Sequence, residues 1–324
     1  MNETSFIKAN IKRWEQFESW LKQSGQIDPD RLAGLYLQLT DDLSYARTHY
    51  QNGEITHYLN NLATKVHSRI YRNKKEKKNR FVSFWKYEVP SVSYRYRKNL
   101  LYSFIIFGLA MVIGAVSAEQ DASFVRLILG DSYVNMTEAN IEKDDPMAVY
   151  KSMGRMDMFL AITFNNVRVS LMAFAAGILL SFGTGLMLFY NGIMLGSFQY
   201  FFYQKGLLLT SVLSIWIHGT LEISAIIIAG AAGLILGNSI LFPGTYTRSE
   251  SLRRGARDGL KLVMGLVPIF VVAGFLESFI TRLTGAPPLV KALIIVISAF
   301  FILYYFLIYP AQLAKNGKLI RPTN

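Results

Sequence analysis

From about residue 99 onward the chain alternates long apolar runs with short polar breaks, and before that point it is polar with a helical repeat. The apolar runs predict membrane spans at about Asn99 to Ala118, Phe159 to Tyr190, Asn191 to Gln204, Leu207 to Gly237, Gly259 to Ile280 and Leu289 to Tyr309. A span needs roughly 20 mostly apolar residues, and each run except 191–204 reaches that length. The expected fold is all-α: a polytopic membrane domain over 96–324 with about six spans, preceded by a cytoplasmic helical domain over 1–95. The short run, about 21 Å if helical, leaves five spans plus a re-entrant segment as the alternative.

The first 95 residues read as about three antiparallel helices. Phe6, Ala9, Trp14, Phe17 and Leu21 recur at helical steps up to Gly25. Leu32, Leu35, Tyr36, Leu39 and Leu43 follow Asp28-Pro29, and Tyr58, Leu62, Val66 and Ile70 follow Asn52-Gly53. The basic run Arg72, Lys74, Lys75, Lys77, Lys78 and Arg80 then precedes the first span. Positive charge there orients insertion and meets anionic headgroups, so it is read as a membrane-surface feature and no nucleic-acid partner is expected. Phe81, Phe84, Trp85 and Tyr87 continue it as an interfacial elbow broken at Pro90.

Charge sets the expected topology. Glu119, Asp121, Asp131, Glu138, Glu142, Asp144, Asp145 and Asp157 make the stretch after the first span an acidic outer loop without the spacing of a cation-binding loop. Arg248, Arg253, Arg254, Arg257 and Lys261, and the tail's Lys315, Lys318 and Arg321, mark cytoplasmic segments. Both fall inside if residues 191–206 cross, which puts both termini in the cytoplasm of a bacterial inner-membrane protein. The first 20 residues carry too many charges for a signal peptide.

Against this apolar background His218 and Glu222 stand out in the middle of one span. Four residues apart, they share a helix face, and ionisable groups at such depth face protein or water rather than lipid. Ala225, Ala229, Gly233 and Gly237 continue that face, while Ala173, Gly177, Ser181 and Gly185 form a second small-residue stripe. Such stripes let membrane helices approach closely, and they point to a homo-oligomer, a dimer first. Gly219 offers a helix break or a close backbone approach. The candidate polar cluster comprises His218, Glu222, Glu277, Arg168, Asn165, Asn166 and Asn191. A buried Arg168–Glu277 ion pair is one expectation, and an Arg168 that snorkels to headgroups is the other. For His218 and Glu222, a register-fixing hydrogen bond and proton or ion handling both remain open.

Composition narrows the function classes. The chain has 324 residues, 52% of them hydrophobic, a net charge of +12 and no cysteine, which removes disulfides and thiolate chemistry. Neither a Walker A loop nor a dinucleotide fingerprint occurs, so no cofactor is expected. Of the four histidines, His49, His57 and His67 lie in the N-terminal domain, so a metal centre at His218 and Glu222 would need carboxylates such as Glu277 or a second subunit; no metal and no enzymatic activity are expected. A partner-recruiting scaffold is the first reading, a transporter or channel the second and an intramembrane metal-dependent hydrolase the third.

Four membrane stretches, NNVRVSLMAFAAGILLSFGTG (165–185), NGIMLG (191–196), HGTLEISAIIIAGAAGLILG (218–237) and FLESF (275–279), resemble the stage II sporulation protein M family, and LAGLYLQLTDDLSYAR (32–47) resembles its longer members. The resemblance implies an α-helical polytopic protein. The founding type, which is shorter and lacks the N-terminal domain, acts with peptidoglycan-degrading partners during engulfment. The longer branch implies a cytoplasmic partner such as a MoxR-type AAA ATPase or a von Willebrand factor A domain protein.

Overall fold

A computed structural model describes residues 2–22, 29–50, 53–70, 80–146, 148–151, 154–282 and 286–320. Every regular element among them is helical. The chain divides into two compact units, residues 1–80 and 81–324.

The first unit contains α1 (Glu3–Lys22), α2 (Pro29–His49) and α3 (Glu54–Ile70). Its core is formed by Phe6, Trp14, Phe17, Leu39, Leu43, Leu59, Leu62 and Val66, largely the apolar stripe legible in the sequence, though Ala9 is exposed. Trp14 Nε1 donates to Asp42 at 2.8 Å, and Arg13 pairs with the same carboxylate, so the buried indole N–H has a partner. Arg72, Lys74, Lys75, Lys77 and Lys78 of the basic run lie outside the described residues, as do Gly25 and Asp28.

The second unit begins with the short turn α4 (Arg80–Ser83), a π-helical turn Phe84–Glu88 and α5 (Val89–Arg95). The expected elbow at Pro90 is absent. Pro90 sits in the first turn of α5, where a missing N–H is tolerated, and the chain bends instead at Tyr96. Val89, Ser91, Val92 and Ser93 are buried, so this segment packs into the bundle. Tyr305 and Tyr309 hydroxyls donate to the Trp85 and Lys86 carbonyls, tying it to the last helices.

Among the described residues, five helices are long and apolar enough to cross a membrane: α6 (Arg97–Gln120), α9 (Arg155–Ala175, extended to Ile178 by a 3-10 turn), α11 (Leu208–Leu241), α12 (Arg248–Phe275, continued to Thr281 as a π-helix) and α13 (Pro288–Leu303) with its continuation through a π-turn into α14 (Tyr309–Lys315). Between them, α10 (Phe182–Gln204) is 23 residues long and carries no charged residue. It runs parallel to α6, and a Cβ on its Gly192 or Gly196 would overlap α6 backbone. The central helix is α11, flanked by α6, α9, α10, α12 and α13. Its apolar window is 67% buried against 17% for α13, whose Leu289, Leu293, Val296 and Phe300 face outward.

One boundary departs from the sequence reading. The run Phe159–Tyr190 is not one helix, because Leu180 and Ser181 take positive φ values of 53° and 69° and turn the chain between α9 and α10. No proline or charge announces this turn. Tertiary contacts hold it: Thr184 Oγ1 donates to the Ala173 carbonyl at 2.7 Å, and Ser181 lies against Gly237. Ala173 and Gly177 thus sit on one arm of a hairpin, and Gly185 on the other, where nothing lies within 4 Å of a Cβ position.

The acidic stretch is also more ordered than expected. It folds as α7 (Ala122–Leu129) and α8 (Asp131–Glu142), whose Val125 and Val134 pack with Ala118, Phe201 and Phe202 over the ends of α6 and α10. Glu138 accepts from Lys205 at 2.7 Å and Arg126 at 2.9 Å. The Lys205 hydrogen bond, with Arg126 assisting, holds its carboxyl below the usual carboxylate range.

Candidate functional site

Helix α11 carries His218 and Glu222 on one face, as their spacing requires. The helix passes Gly219 without a break. No other backbone approaches there, since a Cβ on Gly219 would meet only the Ile215 side chain, at 3.8 Å.

The groups that meet this face come from α12 and α9. The π-helical end of α12 (Leu276–Thr281) presents Glu277 and Thr281, and such single π turns recur at functional sites. His218 Nε2 lies 3.8 Å from Glu277 Oε2, and His218 Nδ1 lies 3.1 Å from Thr281 Oγ1. From α9, Asn166 Nδ2 donates to Glu222 Oε1 at 2.5 Å. His218, Asn166 and Thr281 are all less than 9% exposed.

Ligand-type atoms of His218, Glu222 and Glu277 all fall within 4.8 Å of one another. The Thr281 hydroxyl lies 3.3 Å from the Leu276 carbonyl, and when it donates there its oxygen accepts the Nδ1 hydrogen of His218. That assignment turns the lone pair of Nε2 toward the two carboxyl groups. The arrangement offers one imidazole nitrogen and two carboxyl groups to a cation or a proton.

Of the sequence candidates, His218, Glu222, Glu277 and Asn166 come together. Asn165 and Arg168 are exposed on α9, and the expected Arg168–Glu277 pair does not form, because Glu277 faces His218. Asn191 donates back to the Met187 carbonyl of its own helix. Thr281 was missed, although its position four residues after Glu277 puts the two on neighbouring parts of one helix face.

The small-residue seam is engaged inside the chain. A Cβ on Gly177 would overlap the Gly233 carbonyl, one on Gly233 the Thr184 side chain and the Ala173 carbonyl, and one on Gly237 the Ser181 backbone. Ala225 and Ala229 are buried in the central core with Leu262, Leu266 and Phe270. Gly185 of the second stripe stays open, with nothing within 4 Å of its Cβ position.

Comparison with known proteins divides the chain much as its structure does. Residues 103–282 match the family described as Stage II sporulation protein M. Residues 4–72 match a separate domain of unknown function, DUF8413. Neither the curated proteins nor the solved structures compared with the chain contain a match. His218, Glu222, Glu277, Thr281 and Asn166 all fall inside the longer matched segment, which covers more than half of the sequence, and the chain belongs to the Stage II sporulation protein M family, with an additional N-terminal domain.

Proposed function

We propose that this protein is a non-enzymatic scaffold of the bacterial cytoplasmic membrane that recruits a protein partner through its N-terminal helical domain. The observation that carries this reading is the separate core of residues 1–80, built around Trp14, Leu39 and Leu59 and joined to a membrane unit whose interior is closely packed. A module with its own core, tethered to a membrane bundle, suits docking better than catalysis. Its partner would be a MoxR-type AAA ATPase or a von Willebrand factor A domain protein, as the longer branch of the family suggests.

In this reading α10 crosses as well, giving six passes. Arg95 pairs with Asp258 at 2.6 Å and donates to the Ile320 carbonyl at 3.2 Å, so the segments preceding α6, opening α12 and following α14 share one end of the bundle. That end is rich in Arg and Lys, which supports a cytoplasmic placement for it and for both termini. The test exploits the absence of cysteine: single cysteines at Glu142 and Lys318 are labelled with an impermeant maleimide in intact cells. Labelling at Glu142 alone is expected, and labelling at Lys318 would overturn the topology. For recruitment, full-length protein and a chain lacking residues 1–80 are crosslinked in native membranes and compared. Equal capture of the same partner by both would remove the docking role.

Transport is a second reading, supported by the buried polar cluster between α9, α11 and α12. Proton and solute flux in liposomes, compared between wild type and a Glu222→Gln, His218→Ala double variant, separates it from the scaffold. Flux lost only in a folded double variant would favour transport.

A further inference from the structure

We infer that His218, Glu222 and Glu277 bind one divalent transition-metal ion of the zinc class in each chain. Imidazole nitrogen and carboxylate oxygen are the donor set such ions take, at about 2.0–2.2 Å. Those bond lengths imply ligand separations of about 3.4 Å around a tetrahedral ion. His218 Nε2 and Glu277 Oε2 are already 3.8 Å apart, and all three donors lie within 4.8 Å. Small side-chain rotations close the remainder without moving a helix.

The surrounding residues orient the donors as a metal site requires. Thr281 takes the Nδ1 hydrogen of His218 and leaves Nε2 as the donor atom, the role that carbonyl or carboxylate partners play around metal-bound histidines. Asn166 holds one oxygen of Glu222, whose carboxyl group also meets that of Glu277. Electrostatics points the same way. Two carboxylates side by side among apolar helices repel each other and are poorly solvated, and a dication between them offsets both charges. Three protein ligands leave a position for water, unlike the closed four-ligand structural sites. The ion joins α11 to the π-helical end of α12, with α9 steadying one ligand.

This inference does not rest on the scaffold reading, and its test reads metal rather than recruitment or flux. Full-length protein is purified through a tag without histidine, in detergent and without chelators, and its metal content is measured by mass spectrometry. About one zinc-class ion per chain is expected in wild type and in Arg168→Ala, with loss in Glu277→Gln and His218→Gln. Thr281→Val, which keeps all three ligands, should bind metal about tenfold or more weakly. Because ligand variants can misfold, cobalt is also titrated into stripped wild-type protein, where visible absorption bands saturating near one equivalent are expected. Stripped wild type that takes up neither zinc nor cobalt would overturn the inference and leave a proton shared between Glu222 and Glu277. Folded Glu277→Gln and His218→Gln holding as much metal as wild type would overturn it too, by placing the metal elsewhere.

Discussion

The two halves of α11 use the same apolar helix in opposite ways. From Ala225 to Gly237 the helix is held by shape: Gly233 and Gly237 lie against the backbone of the α9–α10 turn, and Ala225 and Ala229 against α12. Around His218 and Glu222 it is held by chemistry, through Asn166, Glu277 and Thr281, and a Cβ on Gly219 would meet the Ile215 side chain only at an ordinary contact distance of 3.8 Å. Lipid-like surroundings give no hydrophobic preference for one helix face over another, so close approach or polar partners must specify the neighbour. Each half of α11 relies on one of these. The packed half tolerates no added atoms, and the polar half tolerates no lost partners.

The largest way to break this contrast is Gly177→Val. Its side chain would overlap the Gly233 carbonyl, and overpacking of this kind destabilises by about 1–3 kcal/mol, more where backbone must move. A sharp fall in folded, monodisperse protein and in thermal midpoint is expected, and wild-type behaviour would mean the seam is not rigid. In the polar half, Asn166→Ala removes the donor to Glu222, and polar contacts between membrane helices contribute about 0.6–2 kcal/mol each. A drop of that order in unfolding free energy in detergent or bilayer is the expected readout.

Gly219→Ala sharpens the contrast by reversing its sign. With nothing closer than 3.8 Å to meet, the methyl group should leave stability unchanged or raise it by up to about 1 kcal/mol through helix propensity. A loss comparable to that of Gly177→Val would show that this contact is closer in solution. The smallest effect is expected outside the membrane helices, at Glu138. Its folded carboxyl is held below the ordinary value of 4.5, so its contribution is fully present above that value and is lost as pH falls through the depressed one. Glu138→Gln should therefore be slightly less stable than wild type at neutral pH. The difference should vanish in acid, as thermal melts across pH 3–7 in about one-unit steps would record. Partial exposure and salt screening keep it small.

Much of this was legible beforehand, for reasons that can be assigned residue by residue. The N-terminal stripe of Phe6, Trp14, Phe17, Leu39, Leu43, Leu62 and Val66 is the observed core, because water on one side makes the apolar face unambiguous. His218 and Glu222 were visible as costly groups in an apolar run. The turn at Leu180–Ser181 was not visible, since it lies inside an unbroken apolar stretch and is held by contacts to Ala173 and Gly237. Of the two readings of Arg168, the buried pair does not form because Glu277 is turned to His218, and the side chain is exposed on α9.

By itself the sequence determined that long apolar helices make up the second part of the chain, which residues share a face of each helix, and that a separate polar helical domain precedes them. These are properties of one segment at a time, written in hydropathy and in the 3.6-residue repeat. Only the tertiary structure decided that α11 is central, that Gly177, Gly233 and Gly237 pack within the chain while Gly185 does not, and that Glu277, Thr281 and Asn166 gather around His218 and Glu222. In a bilayer the lipid and the protein interior are chemically alike, so composition cannot tell an inward face from an outward one. That choice is made by backbone approach and by hydrogen bonds between helices far apart in sequence.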